Sequence, residues 1–131
     1  MTFKPLHVSV SINRPAEEVY EFVSNPENLP RWAAGLGDSI RLVDGEWIAE
    51  SPVGDIKVEF AEKNNLGVLD HFITLQSGET FYNPMRVFPN DQGSELIFTL
   101  FHRPGLSDEA LAADAEAIKN DLETVKRLVE Q

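Results

Sequence analysis

Cysteine is absent from the 131-residue chain, which removes disulfides, thiolate nucleophiles and zinc–thiolate centres at once. No apolar run approaches the ~20 residues of a membrane-spanning helix. The opening Met1-Thr2-Phe3-Lys4-Pro5 has no apolar core of signal-peptide length, and a cytoplasmic protein is the expectation. Basic residues are few, 11 against 22 acidic ones, for a formal net charge of -11. A phosphate backbone or an anionic membrane surface would be repelled by that charge, so neither nucleic acid nor membrane is expected as a partner. The acidity reads as solubility charge. A Gly-rich phosphate loop, a nucleophile elbow and an HExxH motif are all missing. His7, His71 and His102 lack short ligand spacing, and Asp44-Gly45 and Asp91-Gln92-Gly93 read as turns rather than calcium loops. No metal and no cofactor is expected.

What is present is a regular alternation of apolar and polar residues over a chain of one-domain length, residues 1–131. Leu6, Val8, Val10 and Ile12 alternate with His7, Ser9 and Ser11, a strand with one buried face. Asn13-Arg14-Pro15 then starts a helix with Glu17 and Glu18 at its positive end and a stripe of Ala16, Val19, Tyr20 and Val23. A second short helix follows Asn25 as cap and Pro26, and Pro30 is expected to break it ahead of Trp32. The middle of the chain reads as a meander. Asp44-Gly45 is a two-residue hairpin signal, and Pro52-Val53-Gly54, Asn64-Asn65 and Ser77-Gly78 mark further corners. Phe81 to Phe88 and Glu95 to His102 are the last two strands, on either side of a longer loop at residues 89–93. Ser107 caps a closing helix in which Leu111, Ala115, Ile118, Leu122, Val125 and Val129 form one stripe. That stripe needs cover, and the sheet is the surface large enough to supply it.

The run from Val8 to Val23 (strand, proline, acidic pair, apolar–aromatic helix) resembles the opening of the START-like or SRPBCC superfamily. Asn25-Pro26-Glu27-Asn28-Leu29-Pro30-Arg31-Trp32 is similar to its second-helix signature, and the segment from Asp121 to Leu128 to its terminal amphipathic helix. The polyketide cyclase/dehydrase and lipid-transport-like branch is the nearest in look. The resemblance implies an α+β helix-grip fold: a curved antiparallel sheet of about seven strands around a long C-terminal helix, with two short helices after the first strand. It also implies a cavity between sheet and helix. Because this fold hosts cyclases, hydrolases, carriers and hormone binders, it does not choose among them.

Short hairpins allow facing to be passed from strand to strand. Leu42 is expected opposite Trp47, Trp47 opposite Phe60, Val58 opposite His71, and Ile73 opposite Tyr82. On this chain of pairings His71, Tyr82 and Arg86 point inward. Proline inside a strand suggests an edge or a bulge, so Pro84 leaves an alternative in which Asn83, Thr99 and Phe101 replace Tyr82 and Arg86 at the cavity wall. The other apolar face of the last strands, with Phe81, Met85, Val87, Ile97 and Phe101, either lines the cavity after such a bulge or is covered by a second copy in a homodimer.

The candidate ligand-binding residues are therefore Trp32, His71, Tyr82, Asn83, Arg86 and Phe101. Each also has a structural reading: His71 as a satisfied core histidine, Arg86 in a salt bridge, Trp32 as a plug at the end of the core. Three functions stay open. The first is binding of an apolar small molecule, such as a lipid, polyketide or aromatic metabolite, between sheet and helix. The second is a cyclase/dehydrase-type enzyme with His71 as general base and Arg86 or Tyr82 stabilising an enolate-like oxygen. The third is an interaction protein acting through its surface.

Overall fold

The computed structural model describes residues 1–36 and 39–131. Strand β1 (Lys4–Ile12) leads into α1 (Ala16–Ser24), a 3-10 turn (Pro26–Asn28), α2 (Leu29–Trp32) and a second 3-10 turn (Ala34–Leu36). A meander follows: β2 (Ile40–Val43), β3 (Glu46–Ser51), β4 (Gly54–Phe60), β5 (His71–Thr74), β6 (Thr80–Asn83), β7 (Met85–Asn90) and β8 (Gly93–His102). The long helix α3 (Asp108–Glu130) closes the chain. This is the expected α+β architecture.

The helices begin for local reasons. Asn25 Oδ1 accepts the Glu27 N–H at 3.1 Å, and Ser107 Oγ accepts the Ala110 N–H at 3.1 Å, each satisfying a donor that the first turn leaves unpaired. Pro30 does not break the second helix. It lies in the first turn of α2, where its missing N–H costs nothing, and Trp32 is carried to a buried position at the helix end. Helix α3 packs on β1 and β8, with α1 and α2 against it. Its Leu122 and Val125 are fully buried, each stabilising by about 1.5–3 kcal/mol. Its C-terminal carbonyls, at Val129 and Glu130, accept the Arg14 guanidinium at 3.1 and 3.2 Å, a cation at the negative end of the helix dipole.

All strand pairs are antiparallel, in a five-stranded sheet of order β2-β3-β4-β5-β6 and a three-stranded sheet of order β1-β8-β7. The eighth strand, beyond the seven or so expected, arises because Pro84 divides the Phe81 to Phe88 segment. The two sheets remain joined there. Leu69 N–H donates to Met85 O at 2.8 Å, Val87 N–H to Gly67 O at 3.0 Å, and Thr99 N–H to Pro84 O at 3.0 Å. Gly67 has a φ of +73°, and a Cβ on it would overlap the carbonyl oxygen of Val87, so glycine is needed for this close approach.

The first hairpin has the expected register, Leu42 opposite Trp47 and Ile40 opposite Ala49. The next two are offset by two residues, with Trp47 opposite Val58 and Phe60 opposite His71, which preserves facing because the side-chain period is two. The β5–β6 hairpin differs by one residue: His71 pairs with Asn83, Ile73 with Phe81 and Phe72 with Tyr82. Its loop spans residues 76–78, with Leu75 N–H donating to Glu79 O at 2.9 Å and Gly78 at a φ of +91°. Reading Ser77-Gly78 as a two-residue turn produced the slip, and a slip of one turns every side chain to the other face. Asn83, Met85 and Val87 accordingly face inward with Leu96, Phe98 and Leu100 of β8, whereas Ile97, Thr99 and Phe101 lie on the outer face. Pro84 causes no reversal: Asn83 and Met85, on either side of it, share the inner face.

Candidate functional site

An inner cavity of about 270 Å³ lies where α2 and the turn after it meet β5, β6, β8 and α3. Its apolar wall is built from Leu29, Trp32 and Leu36 on one side, Ile73, Phe98 and Leu100 on the sheet, and Ala117 and Ile118 on α3. The polar members are His71, Asn83, Asp114 and Asp121. A cavity of this size is at the small end of ligand pockets, ~300–1,000 Å³. A surface hollow of about 320 Å³ lies elsewhere, between α1 and residues 64–67, but the buried polar groups converge on the inner cavity.

His71 is held there by an exchange of hydrogen bonds around Pro84. In a regular ladder Met85 N–H would donate to Leu69 O. Here Met85 N–H donates to Asp70 Oδ1 at 2.8 Å, and Leu69 O accepts the Nδ1–H of His71 at 3.0 Å. A carbonyl oxygen can only accept, so Nδ1 carries the proton and Nε2 keeps its lone pair. The imidazole lies between Phe60 and Phe98, centroids 5.0 and 5.8 Å away. Burial pushes its pKa down, against weaker opposing effects of the Leu69 hydrogen bond and the Asp70 charge. It is a neutral acceptor.

Asp121 was not singled out from the sequence. Its Oδ1 accepts the Ala34 N–H at 3.2 Å, tying α3 to the turn that rims the cavity. Burial pushes its carboxyl up to about 6, with the Ala34 hydrogen bond opposing. The available signal was spacing: Asp114, Ile118 and Asp121 recur at four and three residues, flush with the apolar stripe of α3. Trp32, 4% exposed, lines the same cavity, and its Nε1 is buried without a hydrogen-bond partner among the described residues. Such a donor costs ~1–3 kcal/mol until an acceptor reaches it.

The remaining candidates are placed elsewhere. Tyr82 and Arg86 are exposed on the outer face, correcting the inward facing derived from the two-residue turn. There Tyr82 O–H donates to Asp70 Oδ2 at 3.0 Å, and Arg86 holds both Asp70 oxygens at 3.0 and 2.8 Å. Burial alone would raise the Asp70 carboxyl, but the hydrogen bonds from Arg86, Met85 and Tyr82 outweigh it and hold it below its usual range. This is the salt-bridge reading of Arg86. Phe101 borders an outer cleft of about 510 Å³ with Tyr82 and Arg103, and this cleft shares Ile73, Asn83, Leu100 and Asp114 with the inner cavity. The Arg103 guanidinium lies 4.8 Å from the centroid of Phe81. The structure thus brings Trp32, His71 and Asn83 together at the inner cavity and separates Tyr82, Arg86 and Phe101 from it.

Three solved structures set this geometry among known folds. An uncharacterized protein from Bacillus thuringiensis superposes with a TM-score of 0.74 at 17% identity, covering 98% of this chain and 100% of that one. Ara h 8.0201 superposes with a TM-score of 0.72 at 16% identity, covering 96% and 97%. DynU16, a protein of the dynemicin biosynthetic locus, gives 0.72 at 16% identity, with 97% of this chain covering 47% of that one. At these identities the likeness is one of fold. No curated protein matches the chain. Residues 6–130, nearly the whole length, match the family described as polyketide cyclase / dehydrase and lipid transport, and the chain belongs to that family, within the SRPBCC superfamily.

Proposed function

We propose that the chain binds a small, mostly apolar molecule in the inner cavity between α2, the sheet and α3. The observation that carries this reading is an apolar space of about 270 Å³ into which few polar groups converge, among them a buried tryptophan whose N–H has no partner among the described residues. Apolar walls supply affinity through area removed from water, and the few polar groups supply orientation. The volume favours a body of one or two rings over a long acyl chain.

Native mass spectrometry after exposure to a mixed hydrophobic metabolite pool tests this. The wild-type protein retains one compound per chain, and Ala117→Phe, which fills the cavity from an exposed position on α3, retains none while keeping its circular dichroism. An empty wild-type protein, or equal retention by both, would overturn the proposal.

A second reading has one observation in its favour. The Leu69 hydrogen bond fixes the tautomer of His71, and a fixed neutral imidazole with Nε2 open is the form a general base requires. Its lowered pKa also makes it a weak base, which is why binding is the primary reading. A His71→Gln variant that binds ligand normally but loses turnover of it would reverse that order.

A further inference from the structure

We propose that the inner cavity selects a small organic amine, with an apolar ring-sized body against Trp32, Ile73, Phe98 and Leu100 and an ammonium group at Asp121, and that it rejects carboxylates. This rests on the binding reading above and adds the charge of the ligand.

The charge balance of the wall carries the inference. Among the described residues no lysine or arginine lines the cavity. His71 is neutral, with Nε2 an acceptor. Asp121 and Asp114 present carboxylates from one face of α3. Arg103 borders the adjoining outer cleft and is engaged over Phe81. A carboxylate or phosphate entering this space would meet Asp121 and, at the exposed end, Asp114, with no counter-charge among the described lining residues.

An ammonium group would meet the reverse. Among the described residues Asp121 has no basic partner: its hydrogen bond is the neutral Ala34 N–H, and burial has raised its pKa to about 6. It is therefore a charge held at a cost, which a cation in the cavity would offset. Trp32 adds an independent requirement. Its buried N–H lacks an acceptor among the described residues, and an indole is the best aromatic platform for a cation. The ligand class with fewest conflicts is a ring system bearing one protonated nitrogen and one neutral oxygen acceptor.

Three naphthalene compounds of one shape test the charge rule by isothermal titration at pH 7.5: 2-(1-naphthyl)ethylamine, 2-(1-naphthyl)ethanol and 1-naphthylacetate. The amine binds about tenfold tighter than the alcohol, as a charge-assisted hydrogen bond would give, and the carboxylate binds weakest. Asp121→Asn, checked for an unchanged fold by circular dichroism, brings amine and alcohol together. Asp114→Asn, at the exposed end, gives a smaller loss in the same direction. Equal binding of all three compounds, or tightest binding of the carboxylate, would overturn the charge rule and leave the binding proposal standing. Failure of all three to bind would overturn both.

Discussion

His71 donates its Nδ1 proton to the carbonyl oxygen of Leu69, two residues earlier, at 3.0 Å. The bond exists because Met85, the regular donor to that carbonyl, is drawn to the Asp70 carboxylate at 2.8 Å. A backbone irregularity beside Pro84 therefore sets the protonation pattern of a side chain in the cavity.

Nitrogen chemical shifts should report that pattern directly. His71 is expected to show a protonated Nδ1 and an unprotonated Nε2 at pH 7. Its folded pKa lies below the ordinary 6.5 because burial disfavours the cation, so the same shifts persist as the pH falls through 6.5. An Nε2-protonated ring, or titration at 6.5, would contradict the assigned bond.

Asp70 is the hub of the junction, accepting from Met85, Arg86 and Tyr82. Asp70→Ala leaves the Met85 N–H and the Arg86 guanidinium without their acceptor. The expected loss in denaturant unfolding is about 2–3 kcal/mol. Met85 N–H then competes for Leu69 O, so the His71 nitrogen shifts move as well. Arg86→Ala removes only an exposed partner and costs about 1 kcal/mol or less.

Asp121 gives a pH dependence of opposite sign to an ordinary salt-bridged carboxylate. Its folded pKa is raised from 3.8 to about 6 by burial, so the folded state holds the proton more tightly than the unfolded chain. The resulting stabilisation is fully present below pH 4 and is lost as the pH rises through about 6. Asp121→Asn should therefore be the more stable protein at pH 7.5, by about 1 kcal/mol after discounting for solvent screening. That advantage should vanish towards pH 4. Equal stability at both pH values would contradict the burial assigned to this group.

Much of this was legible in the sequence, for identifiable reasons. Caps at Asn25 and Ser107, the stripe from Leu111 to Val129 that buries Leu122 and Val125, and the Asp44-Gly45 hairpin are local signals, and the structure forms them locally. The facing of β6 and β7 was not legible, because Leu75 to Glu79 closes over three residues where Ser77-Gly78 alone suggests two. Tyr82 and Arg86 were misplaced by that single step. Trp32 ends a helix whose start is strongly marked in the sequence, and it lines the inner cavity. Asp121 was missed because an acidic residue beside a helical stripe looks like ordinary solvated charge until the Ala34 turn covers it.

The most direct test of a ligand site beneath α3 uses the two tryptophans. Trp32 lines the inner cavity, whereas Trp47 lies on β3, outside it. In a proton–nitrogen correlation spectrum, titration with 2-(1-naphthyl)ethylamine should move the Trp32 indole N–H resonance and leave that of Trp47 in place. Movement of Trp47 alone, or of neither indole at saturating ligand, would contradict the account.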